Sequence, residues 1–229
     1  MTEVQTHKRT NDILLGPLER PALRWLAAHM PKWMTPDILT GIGVFGAFVI
    51  FAGYILSSHN PIFVWLASFG LIINWFGDSL DGTLARFRDI QRPRYGFFID
   101  HTVDALNETL IVLGLGLSPF VRFDIACLAL ICYLMLSVMV YVQQIVTNEF
   151  RISYGKLGPT EVRVILIMAN TLLFFTGSRS INIVSLELSI FDLIVIAAIL
   201  IMMVIFFVQL VVKGRELSQL DRQTRIKVE

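Results

Sequence analysis

Charge is what this sequence has least of. Asp, Glu, Lys and Arg make up 16% of its 229 residues, against about 25% in ordinary soluble domains. With 55% hydrophobic residues and a mean hydropathy of +0.68, there is too little polar side chain to cover a water-soluble globule, so the chain belongs in a membrane. Cysteine is nearly absent as well. Cys127 and Cys132 stand five apart in one apolar run, on different faces of a helix, which speaks against a mutual disulfide and for two small core residues. A net charge of +1 offers no electrostatic footprint for nucleic acid. The start, MTEVQTHKRTND, is polar and the stretch after it is interrupted by Pro17 and Pro21, so no cleaved signal segment is expected. Internal repeats and low-complexity tracts are missing too.

What is present is a series of long apolar runs. A hydrocarbon layer about 30 Å thick takes roughly 20 helical residues. Six stretches approach that length, near 37–58, 61–84, 96–118, 123–147, 160–177 and 189–212. They are separated by SSHNP, QRPR, SPF, YGKLGP and TGSRSIN, whose Gly, Pro, Ser and Asn end helices. The expected fold is all-α, a polytopic membrane protein of six transmembrane helices. Lys and Arg divide 17 to 2 between alternate ends of these runs, with Arg122 and Arg179 alone on the minority side. The positive-inside rule then puts both termini and the 85–95 connection in the cytoplasm. From Leu14 to Trp33, Leu18, Ala22, Trp25, Leu26 and His29 recur at helical spacing among Arg20 and Arg24, which suits an amphipathic helix in the membrane interface, or else a soluble-facing amphipathic turn. The expected division is a cytoplasmic N-terminus with the interfacial helix over 1–34, a six-helix domain over 35–213 and a cytoplasmic tail over 214–229.

The scarce acids are not scattered. Asp78 and Asp81 are three apart near the end of the second apolar run, and Asp100 and Asp104 are four apart near the start of the third. Each pair therefore shares one helix face. A short turn-rich loop joins the two runs, and antiparallel packing would gather all four carboxylates at the cytoplasmic edge. An Asp inside a membrane helix costs roughly 2.5–3.5 kcal/mol on insertion scales, and four together repel unless cations intervene. Oxygen-only donors with His101 alone nearby favour Mg²⁺, Mn²⁺ or Ca²⁺ over zinc. A pair of such ions is a recurrent device for displacement at phosphorus. Gly82 and Ala85 lack bulk, which would let a ligand approach the helix, and Arg86 follows a turn after Asp81, suited to a phosphate or to a carboxylate.

Taken together, Asp78-x-x-Asp81-Gly82-x-x-Ala85-Arg86 and Gly96-x-x-x-Asp100-x-x-x-Asp104 resemble the signature of the CDP-alcohol phosphotransferases. The motif covers about 27 residues, and the six-helix layout with its interfacial helix resembles the family over most of the chain. One departure is the nine residues, FRDIQRPRY, between Arg86 and Gly96, where the family usually has seven or eight; Pro93 marks an irregular loop that can absorb the difference. The resemblance implies an enzyme of phospholipid synthesis that transfers a phospho-alcohol unit from a CDP-linked donor to a hydroxyl acceptor and releases CMP. It implies two divalent metal ions, Mg or Mn, on Asp78, Asp81, Asp100 and Asp104. Asp104 matches the position assigned as ligand and general base, although an ordinary Asp is a weak base for an alcohol and this one could be a ligand alone. The CDP moiety would meet Asp78, Asp81, Gly82, Ala85, Arg86 and Gly96. A homodimer in the membrane, the cytoplasmic membrane if the source is bacterial, is also implied.

Other residues have both a functional and a plain reading. Glu108 extends the line of Asp100 and Asp104 by a turn and could bind a polar acceptor, pair with a cation or bridge helices. His101 gives a D-H-x-x-D pattern similar to the choline and ethanolamine phosphotransferase branch, and suits a structural hydrogen bond equally. Arg151 and Glu161, with Arg163 nearby, are candidates for the acceptor site, although Glu161 also fits helix initiation after Pro159. Arg92 and Arg94 suit phosphate contacts or solvated positive-inside charge. Thr35 with Pro36 reads as a helix start, and Gly41, Gly43 and Gly46 as close packing. Two competing functions share the acidic pairs. An intramembrane prenyltransferase would be longer, with its aspartate motifs farther apart, and a divalent cation transporter would place its acids near the bilayer midplane.

Overall fold

The computed structural model describes residues 14–147, 158–177, 180–183 and 186–226. Seven helices account for nearly all of them: α1 (Gly16–His29), α2 (Pro36–Leu56), α3 (Val64–Phe87), α4 (Pro93–Gly116), α5 (Phe123–Thr147), α6 (Pro159–Thr176) and α7 (Ile190–Ile226). A 3₁₀ turn at Pro61–Phe63 leads into α3. The all-α expectation needs one local correction. Part of the connection before α7 is a small antiparallel hairpin, β1 (Ser180–Ile183) with β2 (Leu186–Ser189), paired Ser180 to Ser189 and Ile183 to Leu186. Its four-residue strands are too short to stand out beside helices of 18 residues or more.

Among the described residues, five helices are long and apolar enough to cross a membrane: α2, α3 with its leading turn, α5, α6 and α7. The sixth expected span, α4, is a helix of 24 residues, about 36 Å at 1.5 Å per residue, but Asp100, Asp104 and Glu108 dilute its hydropathy. It also starts at Pro93, a turn earlier than the apolar pattern suggests, because Pro at the first position costs no hydrogen bond. α7 continues through Gly214 to Ile226 without a break, so no helix end marks the expected 213/214 boundary.

Small residues set how closely α2 and α3 approach. A Cβ on Gly77 would lie 2.2 Å from the Gly43 nitrogen, and one on Gly46 would lie 2.4 Å from the Asn74 nitrogen. Only glycine permits this backbone contact. Gly41, by contrast, faces open space. Further along the same pair, Tyr54, Ile50, Ala67 and Leu71 are fully buried and pack with Ile111 of α4. A buried polar chain crosses them: the Tyr54 hydroxyl donates to Asn170 Oδ1 (3.1 Å), and Asn170 Nδ2 donates to Ser68 Oγ (3.0 Å), joining α2, α3 and α6.

Both ends of the bundle are fastened by caps. Asp192 accepts from the Arg122 and Ser189 backbone nitrogens (both 2.8 Å), and the Ser189 hydroxyl donates to the Phe120 carbonyl (2.8 Å). This Ser-x-x-Asp box starts α7 and ties it to the α4–α5 turn. At the other end α1 lies against α2 and α3 through Leu23 and Ala27, which pack with Leu39, Leu80 and Leu84. Its opposite face presents Leu18 and Trp25, 75% and 62% exposed. An apolar outer face on a helix bound to a membrane bundle is what an interfacial helix requires. Glu19 of α1 accepts from Trp75 Nε1 (2.8 Å) and Thr160 Oγ1 (2.7 Å). Arg88 donates to the carbonyls of Met30, Pro31 and Met34 at 2.5–3.0 Å, anchoring the α1–α2 connection to the end of α3.

Candidate active site

The site is built where α3 and α4 turn back on each other. α3 ends in a Schellman motif: Ile90 N donates to Ala85 O (3.0 Å) and Asp89 N to Arg86 O (3.3 Å), with Asp89 at φ 55°. This left-handed residue reverses the chain within five residues, and α4 begins at Pro93. Arg92, at the junction, forms an ion pair with Asp37 and lies 4.2 Å over the Tyr95 ring. That pairing occupies the charge that the sequence left open to a phosphate.

The two aspartate pairs are brought into one field. Asp81 interacts with the charges of Asp78 and Asp100, and Asp104 with those of Asp78, Asp100, Glu108 and Arg163. Their partners divide along the helices. Asp78 Oδ2 accepts from Arg163 Nη2 (2.6 Å), and Asn74, one turn below on α3, accepts from Arg163 Nε (2.9 Å) while its Nδ2 holds the Gly43 carbonyl (2.9 Å). Asp81 Oδ2 accepts from Thr40 Oγ1 (2.7 Å), and its other oxygen accepts from the Gly82 nitrogen. On α4, Asp100, His101 and Asp104 each bring one potential ligand atom within 4.8 Å of the others, the group of three or more found among the described residues. The closest set is therefore Asp-His-Asp, with the α3 carboxylates alongside it on Arg163 and Thr40.

The remaining predicted residues fall into place around this centre. Gly82 leaves room that the Arg86 guanidinium borders, 3.3 Å from where a Cβ would be. Arg86 Nη2 donates to Thr83 Oγ1 (3.2 Å), Ala85 is half-buried and Gly96 is exposed beside open space. His101 stacks on Tyr141 of α5 at 4.9 Å and meets Phe97 edge-on at 4.1 Å. Glu108 is half-buried on α4, a turn beyond Asp104. Glu161 is drawn elsewhere: its buried carboxylate accepts from the Leu15 nitrogen (2.7 Å) and the Gly158 nitrogen (2.9 Å). It caps α6 and fastens α1, as the helix-initiation reading expects. Arg151 lies outside the described residues.

Sequence reasoning passed over several participants. Arg163, placed beside the acceptor candidates by the sequence, instead holds Asp78 and Asn74 of α3, and its Nη1 is buried without a partner. Ionisable groups on spanning helices are functional candidates by default, and that signal was available. Asn74 stands four residues before Asp78, the same spacing that links Asp100 and Asp104. Thr40 gave no signal beyond a hydroxyl in an apolar run.

As a test of the donor set, the two carboxylates and one imidazole that gather on α4 can hold a divalent cation, the carboxylate oxygens suiting a hard ion. A helical bundle with five helices long and apolar enough to cross a membrane among the described residues places the chain in the class of integral membrane proteins. Within that class, the chain matches the CDP-alcohol phosphatidyltransferase family over residues 33–208 and belongs to it. It is 36% identical over 104 residues to the archaetidylinositol phosphate synthase of Pyrococcus horikoshii, covering 45% of this chain and 52% of that one. To cholinephosphotransferase 1 of Gallus gallus it is 27% identical over 195 residues, 78% of this chain and 56% of that one. To the Saccharomyces cerevisiae protein of the same name it is 30% identical over 125 residues, 47% and 31% of the two chains. The chain spans about half the length of the first two of these relatives.

Proposed function

We propose that this protein transfers a phospho-alcohol unit from a CDP-linked donor to a hydroxyl acceptor, releasing CMP, in phospholipid synthesis. The observation that carries the reading is the gathering of Asp100, His101 and Asp104 on α4 within ligand distance of one another, in a chain of this family. Two divalent ions, Mg²⁺ or Mn²⁺, held by these carboxylates would offset the charge on the donor pyrophosphate and on the leaving phosphate. Asp78 and Asp81 bind and orient the donor end of the site, with Gly82, Ala85, Arg86 and Gly96 beside the cytidine. Arg163 and Thr40 hold the two α3 carboxylates in place. Asp104 takes the proton of the acceptor hydroxyl as its oxygen attacks the phosphorus distal to cytidine. His101, packed between Phe97 and Tyr141, fixes the α4–α5 wall.

The same proposal makes α4 the sixth transmembrane helix. Its length exceeds the hydrocarbon thickness, and its acids face partners on α3, α5 and α6. The 17 to 2 distribution of Lys and Arg supports termini and an active site on the cytoplasmic side. Homodimerisation is part of the proposal by family resemblance.

Donor and acceptor are the open terms. One relative is named for an inositol phosphate product and others for choline phosphate transfer, which supports either CDP-diacylglycerol with a soluble alcohol or a CDP-amino alcohol with a lipid alcohol. Mass spectrometry of lipids formed by the purified protein with CDP-diacylglycerol, CDP-choline, CDP-ethanolamine or CDP-glycerol, each with soluble and lipid alcohols, tests this. The reading requires one donor to yield a new phosphodiester; no product from any donor contradicts it.

A further inference from the structure

Among the described residues, three asparagines are buried in the bundle: Asn74, Asn107 and Asn170. Asn74 and Asn170 spend their amides on neighbouring helices, as described above. Asn107 does not. It is 3% exposed, and both Oδ1 and Nδ2 are shut off from solvent with no hydrogen-bond partner. Buried amides without partners are rare because desolvation is then uncompensated. A carboxamide is retained at such a position when something else completes it.

Its location says what that something is. At 100° per residue, Asn107 falls about 20° from Asp100 and about 60° from Asp104 around α4, and about 4.5 Å further along the axis than Asp104. It continues the aspartate stripe, one turn deeper, and Glu108 follows it in the sequence. A carboxamide presents a donor and an acceptor side by side, and the complementary single group is a hydroxyl, which both accepts and donates. Resting on the transfer reading above, we propose that Asn107 binds an alcohol group of the acceptor and is a specificity-determining residue of the site. The alcohol comes from a lipid, such as diacylglycerol, or from a soluble polyol; the chemistry recognised is the same.

Replacing an uncompensated buried amide by an apolar side chain of similar shape leaves the fold intact or strengthens it. Substituting a ligand-binding amide removes the ligand. The test compares wild type and Asn107→Leu in detergent micelles with Mg²⁺. It records the unfolding temperature alone and with 1,2-dioleoylglycerol, glycerol 3-phosphate or myo-inositol 1-phosphate, and the acceptor and donor KM from CMP release. The expected result has Asn107→Leu unfolding at or above the wild-type temperature without ligand. One alcohol class raises the wild-type temperature, and the variant loses that rise. Its acceptor KM increases at least tenfold while its donor KM is unchanged. Three results overturn the proposal: a lower unfolding temperature for the variant without ligand, which identifies a structural amide; an alcohol-induced rise equal in both proteins; or no rise in the wild type with any of the three. Because the thermal shift needs no turnover, an alcohol effect lost in the variant, in protein that releases no CMP from any donor, sinks the transfer reading and keeps the alcohol site.

Discussion

Arg163 is the residue on which the α3 half of the site depends. Its guanidinium spans Asn74 and Asp78 with two nitrogens, a forked grip that lysine cannot reproduce. Removing it leaves the Asp78 carboxylate without its strongest donor in a poorly solvated place, a change typically worth about 3–5 kcal/mol for a buried pair. Arg163→Leu is therefore expected to lower kcat/KM for the donor by at least about tenfold, and Arg163→Lys to recover only part of it. Steady-state CMP release with varied donor checks both; a leucine variant with wild-type kinetics would show that Asp78 needs no such partner. At this scale the sequence was legible where residues repeat a spacing and silent where a single polar residue sits in an apolar run. The aspartate pairs share helix faces by arithmetic alone. Thr40, Asn74 and Asn107 acquire meaning only from what lies across the helix boundary. Glu161 kept two readings, since a helix-starting acid and a ligand-binding acid look alike in sequence, and its contacts with the Leu15 and Gly158 nitrogens fit the first.

Among elements, the α2–α3 pair is the foundation, since α3 carries Asp78 and Asp81 and α2 supplies Thr40. Its interface is backbone on backbone. A methyl on Gly77 cannot be accommodated 2.2 Å from the Gly43 nitrogen without moving the helices apart, and forced overpacking of this kind costs about 1–3 kcal/mol. Gly77→Ala should lower the unfolding temperature in micelles and also reduce CMP release, because separating the helices breaks the Thr40–Asp81 contact. Gly41→Ala, which meets open space, should do neither. Thermal unfolding with a parallel activity assay reads the pair, and equal behaviour of the two variants would contradict the close-packed interface. The small-residue pattern made this helix pair legible, although Gly41 belonged to it only on paper. Hydropathy gave the long helices to within a few residues, except that α7 runs to Ile226, fourteen residues beyond its apolar stretch. It misjudged the start of α4, where Pro93 and the acids break the apolar signal, and it concealed the β1–β2 hairpin, whose strands are too short to show a period.

The molecule as a whole is asymmetric. One end carries the aspartate turn, α1 and the caps made by Glu19 and Glu161, and the other is closed by the Asp192 box. From the 17 to 2 division of Lys and Arg along the sequence, single cysteines placed at Arg20 and Arg215 are expected to react with a membrane-impermeant maleimide only after the cytoplasmic side is opened. A cysteine at Arg122 should react from the opposite side. Labelling of Arg20 and Arg122 from the same side would contradict the six-span arrangement.

The central claim is chemical, and CMP release tests it most directly. Purified protein in lipid is supplied with Mg²⁺ or Mn²⁺, a CDP-linked donor and an alcohol, and compared with the same protein in excess chelator and with Asp104→Asn. The account predicts CMP release that disappears on chelation, returns with added metal and falls by at least about a thousandfold in Asp104→Asn, within the range that acid–base groups contribute. CMP release that persists in chelator, or an Asp104→Asn protein as active as wild type, would contradict it.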